Sequence, residues 1–444
     1  MKRRAFMEMT AGIAVLAKPG AAGKKEPAAE IRDAVDSGAA GSGNTGPFDR
    51  PSPGRVEREG PVTNLWARES NKVGDEEVAF QKKFMDPETG ILAMRLTSLP
   101  CVSHHIYPEA PISTPDGKRF IFARQVAFGA ATTFWIGDLE TLLIRQVTDE
   151  DGAAAPIITP DGKWFYYSVG RRIKRMSPET FERETVFEVP EDLPKAGGII
   201  SVDHSGTRFL ASAVGKSGNY GVAVIEPAAG RAHVVYESKD VRNPHGQYSR
   251  NADRKVLVQV NNGIEFDRHG NLLRLVGEKG ASLVVVDDDG GNPMTLKAGF
   301  SMLERVQGHQ CWVGPKNMVI TTLHRRESVS KPWIQDRIVT IVPGEEYRVV
   351  GEGKGFTHIH ASPDGEWWIS DDNKTGDIYI GSVRTARYKL FYRSGATFGS
   401  PQYTHPHPFF LGDGKSVGWN SDVTGVPQVY AARIPDRFLD SLRG

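Results

Sequence analysis

A short turn phrase recurs along the chain and, more than any other feature, constrains its fold. Three clear copies begin at Ser113, Ile158 and Ala361, and each carries Pro-Asp-Gly before a run of aromatic and β-branched residues. Proline fixes φ, the aspartate side chain bonds to nearby backbone and glycine adopts positive φ, so each copy predicts a tight turn before a buried strand. Weaker copies begin at four further points, which are Val202, Arg250, Trp312 and Phe410.

The spacing of these copies predicts the architecture. The seven copies follow one another at intervals of roughly 45 to 60 residues, and further turn signals such as Asp138-Leu-Glu-Thr fall between them. A repeat of about this length with four strands per unit is typical of β-propeller blades. The sequence therefore predicts an all-β, seven-bladed β-propeller. A tandem of irregular β-sandwiches is the alternative, and it accounts less well for the even spacing.

Length, charge and cysteine content narrow the functional classes. The chain has 444 residues, with 55 Lys and Arg against 54 Asp and Glu, and this balance argues against a general nucleic-acid binder. No apolar run reaches the roughly 18 residues that span a membrane. Cys101 and Cys311 are too few for a disulfide scaffold or a cysteine-built zinc site, and we expect two buried thiols. No Gly-x-Ser-x-Gly elbow followed by Asp and His is present, which argues against a propeller-linked hydrolase.

The composition of residues 1–72 predicts that this N-terminal region is not part of the propeller domain. Residues 1–20 carry Lys2-Arg3-Arg4 before a short apolar stretch, which indicates a twin-arginine-like export signal and a periplasmic location. A basic, frayed terminus is the alternative. Residues 21–72 are rich in Gly, Ala, Pro and charge, with few large apolar side chains, so we predict a flexible linker. The propeller domain is predicted at 73–444.

Histidines recur at one position in several of the predicted blades. In a propeller, the strand that precedes each of these turns is the innermost one and lines the central channel. Equivalent positions on radially repeated blades project toward one axis at one end, so we expect a single site there. Histidines near the start of this strand occur in five blades, at His104, His105, His245, His309, His358, His360, His405 and His407.

The densest part of this set is the segment Gln402-Tyr-Thr-His405-Pro-His407-Pro. Two histidines two residues apart point to the same side of an extended segment, and the prolines stiffen it. Imidazoles with a side-chain amide nearby can hold a divalent metal. A set rich in histidine and glutamine suits manganese, zinc or iron better than calcium. For such a histidine pair alone, the alternative is a solvated polar loop.

These segments resemble the oligogalacturonate lyases, a family of seven-bladed propellers that degrade short pectate fragments. The resemblance runs from about Phe84 to Phe438. It is most specific in the segment that begins at Gln402 and in Asn420-Ser-Asp-Val-Thr-Gly-Val-Pro-Gln-Val-Tyr. It implies a lyase of the same architecture with manganese as its metal.

The resemblance also implies roles for individual residues. The catalytic base falls on His309. The metal ligands fall on His358, Gln402, His405 and His407. The family's catalytic arginine has no counterpart in the stretch that begins at Glu278, and Arg274 or Lys279 is the candidate substitute. Together with the residues that match other cleft positions, the predicted substrate-binding set is His104, Tyr107, His245, Tyr248, Arg274 and Lys279.

The predicted function is cleavage of oligogalacturonides, or of a related uronic-acid glycan, by metal-assisted β-elimination. The C5 proton beside a uronate carboxylate is weakly acidic, and a neutral His309 can take it. Tyr248 and Tyr403 are candidates to protonate the departing oxygen. The partner is then an acidic oligosaccharide. The alternative is a non-catalytic periplasmic propeller that binds a protein or glycan, because fold alone does not decide function.

Overall fold

The computed structural model describes residues 76–78, 82–105, 107, 109–125, 131–191, 193, 198–269 and 272–444. These residues fold almost entirely into β-strands. The predicted signal segment 1–20 and linker 21–72 lie outside the described residues. Among the described residues, no helix combines the length and the apolar character that crossing a bilayer requires.

The strands follow one another along the chain with short connections. Two 3-10 helices, Pro227–Ala229 and Gln402–Thr404, interrupt them, and one C-terminal helix, α1 (Asp436–Arg443), follows. The strands are β1 (Glu76–Val78), β2 (Lys82–Met85), β3 (Leu92–Arg95), β4 (Val102–His105), β5 (Arg119–Gln125), β6 (Thr132–Asp138), β7 (Leu143–Gln146), β8 (Ala153–Ile158), β9 (Phe165–Val169), β10 (Arg172–Met176), β11 (Arg183–Glu188), β12 (Ile199–Val202), β13 (Phe209–Val214), β14 (Tyr220–Glu226), β15 (Arg231–Ser238), β16 (Gln247–Tyr248), β17 (Lys255–Val260), β18 (Glu265–Phe266), β19 (Leu272–Arg274), β20 (Ser282–Asp287), β21 (Met294–Thr295), β22 (Glu304–Trp312), β23 (Val319–Arg325), β24 (Ile334–Ile341), β25 (Arg348–Glu352), β26 (Phe356–Ala361), β27 (Trp367–Asp372), β28 (Asp377–Ser382), β29 (Tyr388–Arg393), β30 (Phe409–Phe410), β31 (Ser416–Ser421) and β32 (Gln428–Arg433).

The strands form the seven blades of a β-propeller, which confirms the fold predicted from the repeat. Each of the seven turn phrases joins the first and second strands of a blade. From the channel outwards, blades 1 to 7 are β4–β5–β6–β7–β1, β8–β9–β10–β11, β12–β13–β14–β15, β16–β17–β20–β21, β22–β23–β24–β25, β26–β27–β28–β29 and β30–β31–β32–β3–β2. Strands β18 and β19 form a separate two-stranded hairpin in the connection between β17 and β20.

The ring is closed by strands from both ends of the propeller. Blade 7 takes β30, β31 and β32 from the C-terminal side and β3 and β2 from the N-terminal side, with Arg95 opposite Tyr430. The buried Asp86 carboxylate lies in the β2–β3 turn and accepts a hydrogen bond from the Arg393 backbone N–H of blade 6 at 2.8 Å. Helix α1 packs on the same region, with Leu442 buried in the core of blades 6 and 7.

The turn phrases adopt the local structure that their residues dictate. In the first copy, the Asp116 carboxylate accepts hydrogen bonds from the Lys118 backbone N–H at 3.0 Å and from the Thr114 hydroxyl at 2.6 Å. Gly117 has φ +69°, a conformation that glycine adopts without steric strain. The same bonds recur around Asp161 and Asp364, so each Pro-Asp-Gly copy specifies its turn locally.

The hydrophobic core lies between neighbouring blades. The Trp368 side chain is fully buried, and its indole N–H donates to the Val350 carbonyl of the preceding blade at 3.2 Å. Trp312 does the same toward the Gln247 carbonyl at 3.2 Å. Large aromatic side chains whose single donor is satisfied fill the wedge between two twisted sheets without an unpaired polar group. Cys101 and Cys311 are both buried, as predicted.

Candidate metal and catalytic site

Six of the predicted site residues meet at one end of the central channel. The ring of His358 lies 3.8 Å from that of His407, 4.6 Å from that of His309 and 5.5 Å from that of His405, measured between centroids. The Tyr107 ring lies against four of the histidines, at 5.2 to 6.1 Å. These contacts join blades 1, 4, 5, 6 and 7, so radial repetition brings together residues up to 300 positions apart.

The backbone turns three of these histidines out of the regular strand path. His245, His309 and His407 have φ values of +43°, +63° and +44°. A positive φ is uncommon for residues other than glycine, although histidine tolerates it better than most, and it persists only where the surroundings enforce it. At His309 the register of β22 shifts between Val306 and Gln310, which marks a bulge. Such bulges re-aim a side chain, here toward the channel.

Three histidines have the geometry of a metal site. Ring nitrogens of His358, His405 and His407 all lie within 4.8 Å of one another. His405 Nδ1 and His407 Nε2 are buried and have no hydrogen-bond partner among the described residues. A buried polar atom without a partner carries a desolvation penalty, which a metal ion would relieve. Neutral imidazoles of this kind suit a divalent transition ion, so the residues fit such a metal.

Asp371 orients two members of this set and was missed by the sequence analysis. Its carboxylate lies 2.9 Å from His358 Nδ1 and accepts a hydrogen bond from the His407 backbone N–H at 3.1 Å. The side chain has no exposed surface, and burial raises its pKa to about 7. A carboxylate behind a histidine fixes the tautomer that presents Nε2 to a metal. The available signal was an aspartate at the end of the apolar run Trp367-Trp-Ile-Ser.

The segment that carries His405 is held in place by Asn420 of its own blade and by the ring of Phe398. Asn420 accepts a hydrogen bond from the His105 backbone N–H at 2.8 Å and donates its own backbone N–H to the Pro406 carbonyl at 2.9 Å. The Phe398 ring stacks on the His405 ring with centroids 4.4 Å apart. Asn420 begins the second segment of the family resemblance, and its contacts give a structural reason for an amide at that position.

His309 lies buried next to the three histidines that fit a metal. Burial lowers its pKa well below the usual value, and the nearby His358 and His245 lower it further. The Thr357 hydroxyl lies 3.4 Å from Nδ1, which leaves Nε2 for a substrate. His309 is not one of the three histidines that fit a metal. A histidine that stays uncharged near neutral pH beside a metal site is suited to accept a proton.

The surroundings of His245 raise its pKa, whereas those of His309 lower the pKa of that residue. Both carboxylate oxygens of Glu109 lie 2.8 Å from His245 Nδ1, and the Asn243 side-chain amide lies 2.9 Å from Nε2. Burial alone would lower the pKa of His245, but the charge and hydrogen bond of Glu109 outweigh it and raise the pKa. Burial also raises the pKa of Glu109, yet the short contact to a ring N–H favours the carboxylate.

The other predicted site residues lie around this cluster or apart from it. Gln402 is half-buried in the 3-10 helix that leads to His405, and its role as a ligand stays a prediction. The His104 ring lies 5.2 Å from that of Tyr403 in the same segment. Tyr248 requires a correction. Its side chain is fully buried in the core between blades 3 and 4, so it packs the fold and cannot contact a substrate.

The two basic residues proposed to replace the missing arginine lie in the β17–β20 connection. Arg274 is on β19, where it forms an ion pair with Glu265, and Lys279 lies over the Phe300 ring at 5.8 Å. Because β17 runs antiparallel to β16, this connection leaves blade 4 at the end where His245 lies. Arg274 and Lys279 therefore have their contacts outside the histidine cluster, although they lie toward the same end of the blade.

Comparison with known proteins finds similarity to oligogalacturonate lyases. No family model matches the chain. An oligogalacturonide lyase from Pectobacterium atrosepticum is 22% identical over 392 residues, which cover 80% of this chain and 96% of the relative. An oligogalacturonate lyase from Dickeya dadantii matches over the same length at the same identity. The chain is similar to these oligogalacturonate lyases over nearly their whole length.

A solved member of the oligogalacturonate lyase family has the same fold. The structure of an oligogalacturonate lyase in complex with manganese aligns with a TM-score of 0.68 at 18% identity. The alignment covers 83% of this chain and 99% of that one. The agreement over nearly the whole of that protein supports the seven-bladed propeller described above.

Proposed function

We propose that this protein is a member of the oligogalacturonate lyase family and cleaves oligogalacturonides, or short oligomers of a related uronic acid, by metal-assisted β-elimination. The observation that carries the proposal is the direct contact between His309, buried and neutral, and His358, one of three histidines arranged to bind a metal. The names of the two relatives supply the substrate class.

The metal would be held by His358, His405 and His407, with Gln402 as a further ligand from the same segment. Asp371 fixes the orientation of His358, and Phe398 that of His405. We infer manganese, because the related solved structure is a manganese complex. When bound, a divalent cation supplies positive charge to the uronate carboxylate and so makes the adjacent C5–H more acidic.

The chain's own residues account for proton removal. His309 Nε2 takes the C5 proton, while the Thr357 hydroxyl at Nδ1 holds the ring in place. The C–H electron pair forms the C4=C5 double bond, and the C4–O bond breaks. No water is consumed, and burial of the histidine cluster limits competing hydrolysis. The products are an unsaturated uronide and an oligomer with a free hydroxyl group.

The experiment is incubation of manganese-loaded protein with galacturonide oligomers, followed by the ultraviolet absorbance of the unsaturated product. We expect a rise that a chelator prevents and that manganese restores. His309→Ala should lose the rise while it still binds manganese. Protein that holds manganese but forms no unsaturated product from galacturonides or other uronate oligomers would overturn the proposal in favour of a non-catalytic binding propeller.

A further inference from the structure

We propose that His245, held by Glu109, is the group that donates a proton to the departing C4 oxygen. This inference rests on the proposed lyase function and deepens it by assigning the second proton transfer. The sequence offered Tyr248 and Tyr403 for this step. Tyr248 is enclosed in the core between blades, and Tyr403 packs on His104, whereas His245 lies in the histidine cluster itself.

The His245–Glu109 pair connects two blades that are not neighbours. Glu109 follows β4 of blade 1, and His245 precedes β16 of blade 4. Both side chains are largely buried, with 12% and 9% of their surface exposed, and both carboxylate oxygens lie 2.8 Å from Nδ1. Arg250 donates a hydrogen bond to the Glu109 carbonyl at 3.0 Å and fixes the backbone of that segment. The imidazole is therefore held in one orientation from outside its own blade.

The position of His245 relative to the proposed base suits the stereochemistry of the reaction. In a galacturonide, the C5–H and C4–O bonds lie on opposite faces of the sugar ring, so one side chain cannot serve both. The Tyr107 ring contacts both histidines, with its centroid 5.4 Å from the ring of His245 and 6.1 Å from that of His309. A sugar bound at Tyr107 would therefore have two separate histidines nearby, one for each of these bonds.

With these two histidines, one proton is accepted and one is donated in each reaction cycle. His245 keeps one proton on Nδ1, which faces Glu109, and carries the other on Nε2. The Asn243 amide nitrogen lies 2.9 Å from Nε2, so in this protonated form the amide turns its oxygen toward the ring and accepts the Nε2 proton until the leaving oxygen takes its place. His309 accepts the C5 proton, and the C4–O electron pair goes to the leaving oxygen. That oxygen takes the Nε2 proton of His245. Exchange with solvent then returns both histidines to their starting forms, and no oxidant or co-reactant is required.

The surrounding charges support the division of roles. The groups that face His245 are Glu109 and Tyr107 from blade 1, the Asn243 amide from its own loop and His309 from blade 5, while Arg250 and Cys311 lie near Glu109. Glu109 raises the pKa of His245, whereas burial lowers that of His309. Two titratable groups whose environments drive their pKa values apart are the expected arrangement for an acid and a base.

The test compares two leaving groups in the manganese-loaded protein. Digalacturonate has an alcohol leaving group that needs a proton, whereas a galacturonide with 4-nitrophenol at C4 does not. We expect His245→Gln to slow product formation from digalacturonate by about 10²-fold or more and to recover to within about tenfold of wild type with the aryl substrate. His309→Gln should stay slow with both. Equal losses on both substrates for His245→Gln, or no loss, would overturn the inference.

A second variant keeps the test valid if His245→Gln is poorly folded. Glu109 is a positioning residue, and Glu109→Gln retains its size while it removes the charge that raises the pKa of His245. The basic limb of the kcat/KM profile, which reports protonated His245, should then move to lower pH. A purely structural role would lower the whole profile without moving that limb, which contradicts the inference. Wild type without lyase activity would instead defeat the proposed function itself.

Discussion

Asp371 Oδ2 lies 2.9 Å from His358 Nδ1, and neither side chain has more than 3% of its surface exposed. The same carboxylate accepts the backbone N–H groups of His358 and His407, at 2.9 and 3.1 Å. One buried carboxylate thus fixes both the ring of one histidine and the backbone of another. This contact explains how two blades hold the metal-site histidines in register.

Replacing Asp371 with asparagine is predicted to weaken manganese binding by about 10- to 100-fold, because the carboxylate that orients His358 and raises its basicity is lost. Isothermal titration with manganese measures the change. Asp372→Asn is the matched control, since Asp372 is buried on the opposite side of the same strand and accepts the Lys374 backbone N–H at 2.9 Å. An equal loss of affinity in both variants would attribute the effect to the blade and contradict the prediction.

Replacing His309 with glutamine is predicted to reduce lyase turnover by about 10²- to 10⁴-fold without a change in manganese affinity, because His309 is the proposed base but is not one of the three histidines that fit a metal. Product absorbance and manganese titration together test both halves. His233→Gln serves as the control, since His233 lies on the outer strand of blade 3 and contacts the Asp288 carbonyl. A large loss of manganese binding in His309→Gln would make it a ligand rather than a base.

The blades could be predicted from the sequence because their turns are specified locally. Pro-Asp-Gly makes the same turn wherever it occurs, and Asp116 and Asp161 bond in the same way within their own repeats. Once the repeat was recognised, the meeting of His309, His358 and His407 followed from radial symmetry alone. Side chains on equivalent strands of a ring must approach the same axis.

The carboxylate that supports His245 could not be predicted, because its role depends on a contact between distant positions. Glu109 and His245 are 136 residues apart and belong to different blades, and no local pattern joins them. Tyr248 was assigned wrongly for a different reason. Successive residues of a strand face opposite sides, so Gln247 bonds toward blade 5 while Tyr248 points into the core with blade 3. Because β16 has only two residues, it has no alternation of polar and apolar residues that would predict which side chain faces the core.

Acid is predicted to loosen the closure of blade 7 through Asp86. Burial raises the pKa of this carboxyl, but hydrogen bonds from the backbone N–H groups of Thr89, Arg393 and Glu88 outweigh it, and the net pKa lies below the usual 3.8. Because the pKa of Asp86 is lower in the folded state than in the unfolded chain, the carboxylate stabilises the fold at pH values above the usual 3.8. This stabilisation is lost as the pH falls through the folded-state pKa. Strands β2 and β3 should therefore lose protection first on acidification.

Amide hydrogen exchange of residues 82–95, expressed as protection factors, measures this loss. Asp86→Asn should show low protection of β2 and β3 already at neutral pH and little further change in acid. Asp116→Asn is the control, because Asp116 also accepts backbone hydrogen bonds in a turn but lies in blade 1. Uniform loss of protection across all blades on acidification would show that Asp86 is not the group responsible.

Truncation of Trp368 is predicted to destabilise the propeller by about 3–5 kcal/mol, because a fully buried indole leaves a large cavity and an unpaired Val350 carbonyl. The ring packs so closely on blade 6 that a Cβ on Gly381 would lie 2.3 Å from it, so the surrounding strands cannot collapse into the space without moving backbone. Chemical denaturation of Trp368→Ala measures the loss. Trp164→Ala is the control, since Trp164 is only partly buried and lies under the Arg175 guanidinium at 4.0 Å. Comparable losses in the two variants would mean that packing between blades 5 and 6 is not what stabilises the ring.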